Sequence, residues 1–492
     1  LANINLFWQR LIATALYSSL LIPHMNQVVR AQETRYCQLS AAAAAEKESL
    51  RLLALKSNKK ALTRYVKLIQ RNAALLQECR RHTWPQKQAI WLRLYPCDMK
   101  PGALSEIMDR IVNLGYNQVN IGVFYDGKVL LPAANNPTVW PSVTNIPEAE
   151  KFDLLAAAIQ KGQERGLKVY AWLFTMNFGY SYALNKDKEQ AIARNGKGQT
   201  SLYVVKDGLQ VFIDPYNSQA IMDYNRLVWE IVNHRPDGIL FDYIRYPRQL
   251  GSDSVATKVT DLWLYSPATE TALLQRAKNS QGRELIQRFL TKGYISTSDI
   301  AEVGQLFPQD IEPMWEGHTS SFPQQALLSE TERQALLQSE LWKLSVSHAM
   351  QGVVDFVNLA AHPAFQQGVS PGVVFFPEGN QTIGQGYDSR LQPWDRFSGS
   401  LEWHPMAYAN CGDVSCIVAE VQRVIQMAPA NTQIMPALAG KWGESMNHRP
   451  SLEVQMRALQ QFSSRIHGVS HFAYSWQFPQ NDRDRKLCRS GS

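Results

Sequence analysis

The sequence predicts an α/β fold: a (β/α)8 TIM barrel with an N-terminal helical hairpin and a long insertion after the fourth strand. Three observations predict it. From Pro85 onward, short apolar runs alternate with helix-periodic stretches, the pattern of βα units and a parallel sheet. Eight such runs can be counted, and eight parallel strands close a barrel. No G-x-G-x-x-G follows the first run, which weighs against a doubly wound dinucleotide-binding sheet.

The strands are expected at Ile90–Tyr95, Gln118–Phe124, Lys168–Phe174, Gly238–Tyr243, Gly372–Phe376, Leu401–Ala407, Gln433–Leu438 and Val469–Ser475. Helices feeding the third and fourth are read at Phe152–Arg165, which stops at Gly166, and at Ile221–His234, with Ile221, Tyr224, Val228 and Val232 on one face. Between strands four and five, residues 248–371 form a connection of about 120 residues with helical patterns near 280–291 and 328–358. Loops after barrel strands build the active face, so this insertion is expected to form a lid or cleft wall.

Before the barrel, residues 32–84 read as a hairpin appendage. Leu62, Val66, Ile69, Ala73 and Leu76 recur at helical spacing after an SNKK turn at 57–60. Its expected role is a buttress against the barrel rather than a dock for a partner. Residues 1–31 combine an arginine-bearing flank, an apolar stretch of about 13 residues and a small-residue Val29-x-Ala31 end, the form of a cleaved signal peptide. The run is too short for a spanning helix, so a periplasmic or secreted protein without a transmembrane anchor is expected. The barrel is assigned to 85–480 and a tail to 481–492.

Six cysteines lie beyond residue 31. In an exported chain they read as up to three disulfides among 15 connectivities. Geometry ranks Cys411 with Cys416 in the turn-like CGDVSC, and Cys37 with Cys79 at the two ends of the hairpin. Cys97 follows the first strand and Cys488 the last, neighbours on closure, which pairs them. Free buried thiols are the alternative. The formal charge of +7 falls to +5 without the two arginines of residues 1–31. No basic block suggests nucleic acid. No cysteine or histidine spacing suggests a metal, no phosphate loop or G-x-S-x-G elbow is present, and no cofactor is expected.

The chemistry concentrates in DGILFDYIRYP, Asp237 to Pro247. Ile239, Leu240 and Phe241 are buried-strand residues, so Asp242 falls at the strand's C-terminal end, where barrel enzymes keep catalytic groups. Tyr243, Arg245 and Tyr246 add a phenol, a guanidinium and a ring that can tune the carboxylate and meet a sugar. The bland alternative is a structural Asp242–Arg245 ion pair closing the strand.

This segment resembles the glycosyl-hydrolase-like family 10 proteins, bacterial barrels with an F-D-x-x-x-Y-P pattern on the fourth strand, through Phe241, Asp242, Tyr246 and Pro247. The resemblance extends to Ile90-Trp91-Leu92, Val169-Tyr170-Ala171-Trp172, Asp214-Pro215 and Pro405-Met406-Ala407-Tyr408, over residues 85–478. It implies hydrolysis of glycosidic bonds, with bacterial cell-wall or exopolysaccharide glycans, peptidoglycan among them, as the substrate class. Some members carry a second acid where this chain has Tyr243.

Glycosidases ordinarily use two carboxylates. Glu378 in FFPEGN, just past strand five, is ranked first as the partner acid of Asp242. Asp126 follows strand two in an Asp-Gly turn and reaches the same face. Asp214 precedes a proline and a helix, as an N-cap does, with a cleft role as the other reading. Glu402 opens strand six near the bottom face and is discounted. Trp172, Phe174, Tyr408 and Trp476 can form stacking walls, and Asn177 and Tyr408 can present hydrogen-bonding groups to the mouth. The leading expectation is an exported glycoside hydrolase. The alternative is a non-catalytic glycan-binding barrel, and a third reading is a structural envelope protein whose hairpin recruits a partner.

Overall fold

A computed structural model describes residues 36–147, 149–205, 208–319 and 327–488. The expected signal segment and the last residues of the expected tail lie outside them.

Eight parallel strands close a barrel: β1 (Lys87–Arg93), β2 (Gln118–Tyr125), β3 (Lys168–Phe174), β4 (Gly238–Asp242), β5 (Ser370–Phe375), β6 (Glu402–Ala407), β7 (Ala437–Ala439) and β8 (Gly468–Phe472). Neighbours in sequence are neighbours in space, and β1 closes the ring by pairing Lys87 with Gly468 and Ala89 with Gln118. All eight lie within or beside the expected runs. The largest difference is β7, which begins at Ala437 rather than Gln433 because residues 433–436 meet β6 through the isolated Trp403–Ile434 bridge rather than a continuous ladder. These strands are buried along nearly their whole length because helices cover the outside and side chains fill the inside.

Alternation along β4 sends Gly238, Leu240 and Asp242 to the interior. Their neighbours require it. A Cβ on Gly238 would stand 2.4 Å from the Tyr170 ring, and one on Gly372 would stand 2.8 Å from Leu240 Cδ2. The interior is thus layered, with Tyr170 and Glu402 joined by a 3.0 Å hydrogen bond at the bottom and Trp172 beside Asp242 at the top.

Around the barrel run α1 (Ala41–Leu55) and α2 (Lys59–Arg81) of the hairpin, then α3 (Ala103–Asn113), α4 (Leu154–Gln163), α5 (Ser218–Asn233), α6 (Pro267–Leu274), α7 (Ser280–Lys292), α8 (Thr297–Leu306), α9 (Glu330–Gln366), α10 (Val414–Met427) and α11 (Leu452–Leu459). Helix α9 packs beside α5 and leads into β5, so the end of the long connection supplies a barrel helix. The earlier part builds α6 to α8. Its first residues, Val255–Ala256, pair antiparallel with Gly386–Asp388, which also pairs with Thr382–Ile383. That ribbon ties the insertion to the loop after β5.

In the hairpin the buried face of α2 is Ala61, Tyr65, Ile69, Asn72, Leu76 and Arg80. Leu62 and Val66, expected on that face, are 50% and 44% exposed. The rotation is set by a buried polar anchor: the Tyr65 hydroxyl donates to Asp109, which also accepts from Arg165 at 2.9 Å and pairs with Lys47 at 3.4 Å. All three expected disulfides are present, Cys37–Cys79, Cys97–Cys488 and Cys411–Cys416. Among the described residues no helix is long and apolar enough to cross a membrane.

Candidate active site

Asp242 ends β4 and is 7% exposed. Its Oδ2 accepts the indole N–H of Trp172 at 3.1 Å, and its Oδ1 accepts the backbone N–H of Tyr243 at 2.7 Å. The second bond is possible because Tyr243 sits in the left-handed region at φ 54°, turning the chain sharply off the strand; a non-glycine residue there is held only by its surroundings. Two bonds hold it: Thr175 N–H donates to Asp242 O at 2.7 Å and Met176 N–H to Tyr243 O at 3.1 Å.

Burial pushes the Asp242 carboxyl up to about 6, against the opposing pull of the Tyr243 amide, the Arg245 charge, the Trp172 indole and the Arg93 charge. Arg245 makes no ion pair with it, so the structural strand-closing pair is not formed. The Arg245 guanidinium lies over the Tyr243 ring at 4.6 Å and the Phe212 ring at 5.5 Å, and Nη1 donates to Tyr246 O at 2.9 Å. It acts on Asp242 through its field alone.

Aromatic rings surround the carboxyl. Trp172 packs edge-on against Trp91 at 5.0 Å, Phe174 lies 4.1 Å from Tyr243, and Phe472 lies 6.4 Å from Trp172, 5.8 Å from Tyr408 and 6.3 Å from Trp476. Arg449 covers Trp476 at 5.7 Å and donates to Tyr408 O at 2.6 Å. A cleft of about 1000 Å³ adjoins Tyr243 and Arg245, walled by the stretch from Asn195 to Val205, by Gln210, by the start of the insertion from Arg248 to Asp261, and by Phe376.

The expected carboxylates separate. Glu378 pairs with Arg390 at 3.2 Å, and Arg390 also holds Asp388 at 2.6 Å. Across from it, Glu420 on α10 is pushed up to about 7 by burial and by the Glu378 charge. Glu378 therefore belongs to a cluster between the β5 loop and α10. Asp126 pairs with Arg93 Nη1 at 3.5 Å. The Arg93 guanidinium lies 5.7 Å from the Trp172 ring and 4.6 Å from the Tyr125 ring, and its field reaches Asp242. Asp126 acts in turn on Tyr243, which places it on the Asp242 side of the mouth.

Three expected ligand residues are instead occupied within the fold. Asn177 is buried, its Oδ1 accepting from Gly179 and Val211 N–H at 3.2 and 3.0 Å. Asp214 is buried and does not cap α5; Asn217 does, accepting from Ala220 N–H at 3.0 Å. The Asp214 carboxylate accepts from Tyr216 N–H at 2.9 Å and from Thr269 N–H at 3.0 Å, pinning α6 to the barrel. Tyr246 is fully buried, with its hydroxyl donating to Ala349 O at 3.4 Å. Glu402 lies at the bottom, bonded to Tyr170 and His404. Two mouth residues escaped the sequence reading, Arg93 and Phe472. Both sit at C-terminal ends of strands in the inward series of the pleat, the signal that could have found them. Among the described residues no group of three histidines, cysteines or carboxylates could hold a metal ion.

The sequence model of the family described as Glycosyl hydrolase-like 10 matches residues 82–289, from the end of the hairpin through β4 and into the insertion. No curated protein matches the chain. Among solved structures, a hypothetical protein from Ruminiclostridium thermocellum is similar at 18% identity, over 32% of this chain and 77% of that one, with a TM-score of 0.24. A beta-N-acetylhexosaminidase from Bacteroides fragilis is 10% identical over 82% of this chain and 64% of that one, with a TM-score of 0.40. A beta-N-acetylhexosaminidase from Streptomyces coelicolor is 9% identical over 82% and 62%, with a TM-score of 0.37. The chain thus spans less than two thirds of either hexosaminidase.

Proposed function

We propose that the chain is an exported glycoside hydrolase acting on a bacterial cell-wall or exopolysaccharide glycan, with Asp242 as its proton donor. The observation that carries the reading is a carboxyl at the mouth of a barrel, ringed by Trp172, Tyr243 and Tyr408, whose burial lifts its ionisation to about 6. A carboxyl that keeps its proton near neutrality can deliver it to a leaving glycosidic oxygen, and the barrier falls because the proton moves as the bond breaks. Aromatic faces beside it match the apolar faces of sugar rings. The family match supports the reaction class, and three disulfides support an oxidising compartment.

The second carboxylate in this reading is Asp126 rather than Glu378. Asp126 pairs with Arg93, whose field also acts on Asp242, so one cation links the two acids that a glycosidase needs. Arg245, stacked on Tyr243, fixes the turn beside the acid.

A non-catalytic glycan-binding barrel is favoured by one observation: among the described residues the hydrogen bonds to the Asp242 carboxylate come from an indole and an amide, and no second carboxylate touches it. One experiment separates the two. Wild-type protein and Asp242→Asn are incubated with intact and peptide-stripped peptidoglycan and with exopolysaccharides, and new reducing ends are counted. The hydrolase reading expects wild-type turnover and a loss of roughly 10²- to 10⁴-fold in the variant, the usual worth of a general acid. Equal turnover by both proteins contradicts the role of Asp242. Binding without turnover in both establishes the binding barrel.

A further inference from the structure

At the barrel face opposite Asp242, α2 ends against the entries of β1, β2 and β3. Arg80, in the last turn of α2, is only 6% exposed. Among the described residues its Nε and Nη2 find no hydrogen-bond acceptor. No acidic side chain among the described residues acts on it, and burial lowers its guanidinium to about 10. A buried cation without a counter-charge is unfavourable, so chains rarely keep one unless something pairs with it.

Arg80 lines a groove of about 850 Å³ between α2 and the barrel base. Every other charged side chain along that groove is already compensated. Arg81 pairs with Glu78 at 2.7 Å, Arg165 with Asp109 at 2.9 Å, Lys168 with Asp237 at 2.7 Å and Glu164 with Lys161 at 2.8 Å. Arg80 alone has charge to offer a ligand. Leu76 and Val112 add apolar lining, and Gln70, Gln77, Gln86 and Gln163 also line the groove. The backbone that carries Arg80 is held in place, because the residue before it, Cys79, is tied by its disulfide to Cys37 and its carbonyl accepts the Thr83 hydroxyl at 3.1 Å.

We propose that this groove is a second, non-catalytic binding site for a carboxylate-bearing sugar unit, the carboxylate held by the Arg80 fork and the hydroxyls by the glutamine amides. A planar guanidinium accepts one carboxylate through two parallel bonds, while neutral amides both donate and accept, as hydroxyls require. The site is independent of the hydrolytic reading, since it shares no residue with the mouth.

The test is calorimetric titration of the full chain with glucuronate, its neutral methyl ester and acetate, using wild type, Arg80→Lys, Arg80→Gln and Asp242→Asn. The proposal expects wild type and Asp242→Asn to bind glucuronate at least tenfold tighter than either the ester or acetate. Arg80→Lys should keep part of that preference and Arg80→Gln none. Equal binding of acid and ester, equal binding of glucuronate and acetate, or an undiminished preference in Arg80→Gln each overturns it. Thermal melting without ligand gives a second check. Removing an uncompensated charge should leave the Arg80→Gln melting temperature unchanged or raise it, whereas a marked fall would show that the guanidinium already has a stabilising partner in the chain and would overturn the proposal.

Discussion

Asp242 is unusual less for its position than for what surrounds it. Lifting a carboxyl from 3.8 to about 6 means the folded state holds its proton more tightly than the unfolded chain does. Stability linked to this group is therefore fully present below pH 3.8 and is lost as pH rises through about 6, by roughly 3 kcal/mol at 1.36 kcal/mol per unit. Asp242→Asn removes the penalty, so urea unfolding at pH 7.5 should show the variant more stable than wild type by up to about 3 kcal/mol, with the gap closing below about pH 4. The two candidate partners are separable in the same way. Asp126→Asn should lower kcat roughly 10²-fold or more. Glu378→Gln should leave kcat near wild type and cost about 1 kcal/mol or less, because the Glu378 side chain is 33% exposed and Arg390 keeps its pair with Asp388. Steady-state kinetics on the hydrolysed glycan checks both. The centre of the site was legible because Ile239-Leu240-Phe241 fixes where the strand ends and Asp242 follows. The partner was not. Strand order told that Glu378 and Asp126 both follow strands, but not that Arg390 draws one toward α10 while Arg93 holds the other at the mouth. Asn177 looked like a ligand because it follows a strand, and Asp214 looked like an N-cap or a cleft residue because a proline and a helix follow it; their backbone partners at Val211 and Thr269 come from distant segments that no local pattern reveals.

At the level of elements, the hairpin shows how a buried polar anchor overrides an apolar stripe. Leu62 and Val66 lie at helical spacing from Ile69, yet α2 is rotated so that Tyr65 reaches Asp109 and Arg165. A buried carboxylate needs its donors, so that network sets the rotation and the leucine and valine turn outward. The hairpin is further closed by Cys37–Cys79, which joins residues 42 apart. In the chain-entropy picture a loop of that length is worth about 4 kcal/mol. The double variant Cys37→Ser, Cys79→Ser should therefore unfold at markedly lower denaturant while the barrel mouth keeps its activity, which denaturant melts and turnover assays check together. Strand positions were legible because eight apolar runs of the right length are strong signals, while ends such as β7 depend on pairing with neighbours rather than on composition. Helix α9 was legible as helical but not as a barrel helix, since its packing beside α5 is a tertiary fact.

The whole molecule places two different surfaces at the two ends of one barrel. At the top, the ribbon formed by Val255–Ala256, Gly386–Asp388 and Thr382–Ile383 ties the insertion over a cleft that opens on Tyr243 and Arg245. At the bottom, the hairpin encloses the groove of Arg80. Closure joins the first and last parts of the chain through β1–β8 pairing and Cys97–Cys488, which the count of eight strands already implied. The most direct measurement of the central claim, that Asp242 works as the proton donor, is the pH dependence of kcat/KM for wild type and Arg93→Gln. The donor must be protonated, so wild-type activity should fall with an apparent pKa near 6. Arg93 lowers the Asp242 pKa, so its removal should move that limb to higher pH. A wild-type profile flat from about pH 5 to 8, or a limb that stays in place when the Arg93 charge is gone, would contradict the account.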